Sequence, residues 1–347
     1  MPHLPYALQM LPAVEDELRL VIAQVRQPAV PDELSESSPD LWSLLHHMLI
    51  YHMGWTDENP DASGKRIRPM LLLLVAAAGG ENWHKAVPAA AAVELLHNFS
   101  LIHDDIEDNS PLRRGRATVW KNWGVAQAIN TGDVMFTLTH LAMLRLHATC
   151  GPEITLEATQ LLLETCLALT QGQFLDLSYE NERSLPLEAY WPMVKGKTAS
   201  LLAACTELGA LIARLNPQTR AAYQQFGLHL GLAFQIQDDL LGIWGDAALT
   251  GKSAASDLLT GKKSLPVLFG LSLDGPFARR WLAGPLEEDE VAQVADQLRK
   301  EGAEDYANEI ALQHTEKSLQ ALESAQPQGE AGLALRQLAN ALLYRSA

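Results

Sequence analysis

Two apolar helical runs in this chain each end in a pair of aspartates, and few folds accommodate that arrangement. The first lies in Glu94–Trp120, ELLHNFSLIHDDIEDNSPLRRGRATVW. Leu95, Leu96, Phe99, Ile102 and Ile106 recur at helical spacing and draw an apolar stripe. Asp104, Asp105, Glu107 and Asp108 stand on the same helix. At about 3.6 residues per turn, Asp104 and Asp108 lie one above the other, where like charges repel. The second run, Gly231–Asp246, reads GLAFQIQDDLLGIWGD and carries Asp238 and Asp239. One acidic cluster near a helix end suits a solvated face. Two of them on helices this apolar argue for helices that face each other and hold metal between them, as carboxylate helices do in bundles. Mg²⁺ suits hard oxygen donors and keeps places for substrate phosphates. Arg113, Arg114 and Arg116 follow the first acids, and guanidinium forks match phosphate oxygens. Acid and base side by side suggest a site for metal-bridged phosphate.

The remainder reads as helix. Periodicity predicts helices over 10–26, 41–53, 70–79, 87–105, 119–148, 154–179, 187–213, 217–241, 264–272, 288–300, 303–324 and 328–345. Pro28–Pro39 and Gly54–Gly64 read as loops, and no segment shows a convincing period-two alternation. The expected fold is an all-α bundle around a deep apolar centre, a single domain over 1–347. Gly242–Gly261, rich in Gly, Ser, Ala and Asp, is a candidate flap. With 48% apolar residues a large core is available, yet no uncharged run is long enough to span a bilayer. The start has no basic leader, and Cys150, Cys166 and Cys205 suit buried thiols in a reducing compartment, so a cytoplasmic location is expected. The net charge of −16 argues against nucleic acid.

Five segments now come together: GKRIRP at 64–69, the acid–arginine stretch, KGKTA at 195–199, FQIQDD at 234–239 and GKSAASDLLTGKKSLP at 251–266. In this order, over roughly residues 60 to 270, the chain resembles the all-trans polyprenyl diphosphate synthases. The resemblance implies the isoprenoid-synthase helical fold, a homodimer, and condensation of an allylic diphosphate with isopentenyl diphosphate. It implies Mg²⁺, about three ions with Mn²⁺ as a substitute, held by Asp104, Asp108 and Asp238. Lys65, Arg68, His97 and Arg114 would hold isopentenyl diphosphate, with Phe234 and Gln235 as the adjoining wall. Arg113, Lys197, Thr198, Lys252 and Lys262 would hold the allylic diphosphate, and Gln173 and Asp176 would lie beside the lysine and the metals. Asp105 would stand behind the ligands, Glu107 would face solvent, Lys195 would be a surface charge, and Lys262 rather than Lys263 would reach phosphate when the flap closes. The family's fuller second motif has a third aspartate where this chain has Gly242; Asp246 or Asp257 could compensate through water.

The implied reaction is ionisation followed by carbon–carbon bond formation, with released pyrophosphate taking the proton and an apolar cavity keeping water away. For product length, Phe99 is bulky and Ser100 is small, and the first aspartate motif carries no insertion. That combination resembles the twenty-carbon synthases of archaeal type and favours geranylgeranyl diphosphate, with farnesyl diphosphate or a longer product as the alternative. The opposing reading packs Phe99 in the core and lets Leu96 or another helix set the depth. Rival functions are a class I terpene cyclase, a non-catalytic partner subunit and a helical diphosphate hydrolase. The aspartate pair in the second motif and Lys65/Arg68, which would have no second diphosphate to bind in a cyclase, weigh against the first.

Overall fold

Helices form where the apolar spacing runs longest, and glycine and proline decide where they stop. The computed structural model describes residues 5–25, 41–56, 64–180, 182–245 and 255–343. The expected loop at 28–39 and the central part of the expected flap, with Asp246 and Lys252, lie outside the described residues. The chain divides into two compact units. The first is Met1–Leu162 with Leu208–Leu215 and Gln328–Ala334; the second is Leu163–Glu207 with Asn216–Pro327 and Leu335–Ala347.

In the first unit, α1 (Pro5–Ile22), α2 (Leu41–His52), α3 (Ile67–Ala78) and α4 (Val87–Glu107) supply most of the core. Met70–Val75 of α3 are buried without a break. So are Ala89–Ala92 at the start of α4, whose small side chains let neighbouring backbones approach closely. A hairpin follows: β1 (Leu112–Arg113) pairs antiparallel with β2 (Arg116–Ala117). Both turn residues have positive φ, 51° at Arg114 and 75° at Gly115, which is the type I′ pattern of a two-residue hairpin. Two-residue strands are too short to leave an alternation in the sequence. The helix expected over 119–148 is broken into α5 (Val119–Trp123), α6 (Val125–Leu144) and α7 (His147–Cys150). Gly124, at φ 84°, ends the first of these.

α8 (Pro152–Glu180) is one long helix, close to the expected 154–179. In the second unit, α9 (Tyr190–Val194) runs into a π-helical turn at Lys195–Ala199 and then into α10 (Ser200–Ile212). Single π turns of this kind are frequent at functional positions. α11 (Pro217–Trp244) is capped by Asn216, whose side chain accepts from the Thr219 N–H at 2.9 Å. α12 (Ser256–Leu259), α13 (Leu265–Ser272), α14 (Pro276–Leu282), α15 (Val291–Lys300), α16 (Ala303–Ala325) and α17 (Gly329–Leu343) complete the chain. α14 was not foreseen; it is a two-turn helix opened by Pro276 and too short for a periodic signal. Tyr190, Ile236, Leu265, Leu268, Phe277 and Leu298 form the centre of this unit's core. No helix among the described residues is long and apolar enough to cross a membrane.

Candidate active site

The residues singled out by sequence fall into two clusters, one in each unit, and each is described by itself. In the first unit, α4 ends at Glu107 with Asp108 as its C-cap. Asp104 is half-buried and Asp108 exposed, one turn apart. Carboxylates at a helix C-terminus meet the negative end of the macrodipole, an unfavourable placement that a bound cation would reverse. Two carboxylates of one helix face suit Mg²⁺, which needs few protein ligands when substrate phosphates supply the rest. No group of three or more His, Cys, Asp or Glu side chains that could hold a metal comes together among the described residues.

Asp105 is buried at 2% exposure and accepts from Arg113 Nε at 2.8 Å. Burial pushes its carboxyl up, and the Arg113 charge pulls against that. Arg113 is thereby aimed by a buried acid. Arg114 sits at the hairpin turn with its guanidinium over Gly64: a Cβ on Gly64 would lie 2.6 Å from Arg114 Nη2. The glycine before Lys65 is therefore needed both for its φ of 79° and for this close approach.

Lys65 is exposed, whereas Arg66 is 4% exposed. Arg66 donates to Glu15 at 2.7 Å and to the buried Glu94 at 2.8 Å, holding α1, α4 and the start of α3 together. It occupies a left-handed conformation, φ 48°, just before α3 begins. Arg68 donates from Nη1 to His97 Nε2 at 3.0 Å. Burial, then Arg68, Arg114 and Arg113, hold His97 well below its ordinary value, so it is a neutral acceptor. Phe99 packs at 4.9 Å against Phe136 of α6 with the rings tilted and meets His103 edge-on at 4.8 Å. Ser100 is buried and donates to its own helix at the His97 carbonyl, 2.8 Å.

In the second unit, α8 crosses the π-helical turn at a pair of glycines. A Cβ on Gly172 would lie 2.1 Å from the Lys197 N, and one on Gly196 would lie 2.6 Å from the Ala168 carbonyl. The crossing brings Asp176 to Lys197, a 2.5 Å ion pair. Gln173, one turn before Asp176, is buried at 7% exposure. Thr198 donates to Gln235 Oε1 at 2.7 Å, and Gln235 passes a hydrogen bond to Asp239 Oδ1 at 3.0 Å. Phe234 and Asp238 are half-buried on the same helix.

Asp239 is 1% exposed. Besides Gln235 it accepts from Tyr190 Oη at 2.8 Å, Lys262 Nζ at 3.2 Å and the Leu265 N–H at 3.2 Å. Burial and Asp239 push the Tyr190 hydroxyl well above its ordinary value. Burial alone would push Lys262 down; Asp239 and Asp257 outweigh it and push it up. Lys263 instead donates to the Glu180 carbonyl at 3.0 Å. Sequence reasoning gave no role to Tyr190, which carries no pattern around it.

Gly242 is explained by its neighbour. A Cβ there would lie 2.3 Å from Asp257 Oδ2, so the Asp257 carboxylate fills the space a side chain at 242 would take. Asp257 is itself buried and bonded to Lys262 at 3.3 Å. Gly242→Asp, which would restore the fuller motif, is therefore expected to lower both turnover and stability. Overpacking against a held carboxylate costs about 1–3 kcal/mol, before the like-charge repulsion. Thermal unfolding and steady-state assays check this; wild-type or better values in both would refute it.

Comparison with known proteins follows the same lines. The family model described as polyprenyl synthetase matches residues 52–300. The (2E,6E)-farnesyl diphosphate synthase of Mycobacterium tuberculosis is 39% identical over 284 residues, 78% of each chain. The geranylgeranyl diphosphate synthase of Methanosarcina mazei is 36% identical over 267 residues, 76% of this chain and 80% of that one. The crystal structure of geranylgeranyl pyrophosphate synthetase from Pyrococcus horikoshii superposes with a TM-score of 0.82 at 31% identity, covering 97% of this chain and 99% of that one.

Proposed function

The chain belongs to the polyprenyl synthetase family, and on that premise we propose that it makes geranylgeranyl diphosphate from isopentenyl diphosphate and an allylic diphosphate. It is an all-trans prenyltransferase of the isoprenoid-synthase fold. In the reaction the allylic carbon–oxygen bond breaks and pyrophosphate leaves. The isopentenyl double bond then attacks the allylic cation, a carbon–carbon bond forms, and a proton departs to pyrophosphate. Arg113, Lys197, Lys252 and Lys262 hold the allylic diphosphate, with Thr198 and Gln235 beside it. Lys65, Arg68, His97 and Arg114 hold isopentenyl diphosphate against Phe234. Asp104, Asp108 and Asp238 are the ligands for Mg²⁺, whose charge would stabilise the departing diphosphate. The four hydrogen bonds on Asp239 support Asp238 as the ligand of that pair. In this reading both units belong to one catalytic domain.

The observation that carries the reading is the pairing of stacked Asp104 and Asp108 with the Asp105–Arg113 anchor that follows them. The test is incorporation of labelled isopentenyl diphosphate into chain-length-resolved products, with and without chelator. Loss of incorporation on chelation and its return with Mg²⁺ are expected; cyclic hydrocarbon, or phosphate release without isopentenyl diphosphate, would overturn it.

Product length rests on Phe99 and the small Ser100, and the ring of Phe136 supports it. Farnesyl diphosphate is the second reading, favoured by the Mycobacterium tuberculosis relative. Phe99→Ala is expected to shift products beyond twenty carbons only partly, because Phe136 stays in place, and Phe99→Ala with Phe136→Ala to shift them fully. An unchanged distribution in the double variant would put the floor elsewhere, for instance at Leu96.

A homodimer completes the proposal, in the cytoplasm. Val125, Ile129, Leu141 and Leu144 of α6 are exposed apolar side chains that fit a helix–helix interface. The thiols of Cys150, Cys166 and Cys205 fit a reducing compartment. A monomer by sedimentation at micromolar concentration would exclude the dimer.

A further inference from the structure

His52 has no role in the reading above, yet its position asks for one. It is the last residue of α2 and lines a narrow cleft with Asp105, Arg113, Arg114 and Arg116. Its Nε2 is buried and has no hydrogen-bond partner of normal geometry among the described residues; the Asn98 side chain, whose Oδ1 is likewise unsatisfied, is the neighbour that interacts with the ring. An unpaired buried nitrogen costs free energy, so native proteins keep few of them and those few ask for an explanation.

The placement of His52 is not loose. Its neighbour Tyr51 donates from Oη to the Ala117 carbonyl at 2.8 Å. The Tyr51 carbonyl accepts from Arg116 Nη1 at 3.0 Å, and the Arg116 guanidinium lies 4.0 Å over the Tyr51 ring. The hairpin that carries Arg113 and Arg114 is thus fastened to the end of α2. The cleft is rich in donors, and its one carboxylate, Asp105, already accepts from Arg113. A ligand that suits such a cleft brings many acceptor oxygens and negative charge.

We propose that His52 is a further diphosphate-binding side chain, reaching an oxygen of the anion through Nε2. The assignment rests on the reading that Arg114 and Lys65 hold isopentenyl diphosphate. Without the anion, burial and then Arg113, Arg114 and Arg66, opposed by the Asn98 side chain, push the imidazole down to about 3, so the free protein holds it neutral. An arriving diphosphate offsets those guanidinium charges and gives Nε2 an acceptor.

The test uses the full chain and calorimetric titration with isopentenyl diphosphate and, in parallel, inorganic pyrophosphate. His52→Leu removes the nitrogen; His52→Gln returns an amide N–H near the same place; Lys65→Ala probes the underlying reading. His52→Leu is expected to weaken both ligands about tenfold, and His52→Gln to stay within about threefold of wild type. Unchanged affinity in His52→Leu overturns the proposal, and so does equal loss in both variants, since that marks packing alone. If Lys65→Ala loses affinity while His52→Leu does not, only the role of His52 falls. If isopentenyl diphosphate fails to bind the wild type while His52→Leu weakens pyrophosphate, His52 keeps its anion role and the substrate reading falls.

Discussion

Asp104→Ala is expected to lower turnover on the order of 10²-fold or more, the scale of losing one well-placed electrostatic stabiliser. The same variant should unfold no more easily than wild type. Asp104 is stacked with Asp108 at the C-terminal end of α4, where both charges oppose the helix dipole. Removing one relieves a repulsion worth a few tenths of a kcal/mol to about 1 kcal/mol. Activity lost while stability holds or rises separates a functional carboxylate from a structural one. Steady-state assays at saturating Mg²⁺, paired with thermal unfolding, read both quantities. Near wild-type turnover would remove this helix from the chemistry, and a large drop in melting temperature would reassign Asp104 to the fold.

Asp239→Ala should behave in the opposite way. Among the described residues its carboxylate is the acceptor for both the Tyr190 hydroxyl and the Leu265 N–H, both in buried residues. Orphaning each costs about 1–3 kcal/mol, so the variant should lose about 2–6 kcal/mol. Lys262 adds little to that sum, because its side chain is 36% exposed and can turn to water. Tyr190→Phe, which removes one donor and leaves the rest, should cost about 1 kcal/mol. Denaturant titration of the two variants gives the comparison. If Asp239→Ala is no less stable than Tyr190→Phe, the network around Asp239 does not hold α9, α11 and α13 together.

The long helices were legible because their apolar spacing persists: 154–179 against Pro152–Glu180, and 303–324 against Ala303–Ala325. Breaks were harder. Gly124 and the π turn at Lys195–Ala199 lie inside patterns that continue across them. The hairpin was invisible because its two strands hold two residues each. For the site, motifs named residues but not their partners. GKRIRP offered three basic side chains; burial alone distinguishes Arg66, committed to Glu15 and Glu94, from exposed Lys65. Gly242 read as a missing acid with Asp246 or Asp257 as substitutes, and packing places the Asp257 carboxylate in the space beside it. His52 and Phe136 left no signal, since each meets its neighbours from a distant part of the sequence.

The adjacency of Lys65 and Arg66 has a consequence for ionic strength. At physiological salt the Debye length is about 8 Å, so charges in open water are screened while buried pairs are not. Added salt should loosen the proposed hold of Lys65 on isopentenyl diphosphate and leave the Arg66–Glu94 pair intact. The chain also carries a net charge of −16, which repels diphosphates at a distance, and salt weakens that repulsion too. Association with isopentenyl diphosphate should therefore quicken as salt rises while dissociation quickens more, and the melting temperature should hardly move. Stopped-flow traces over a salt series would show the two rates climbing together.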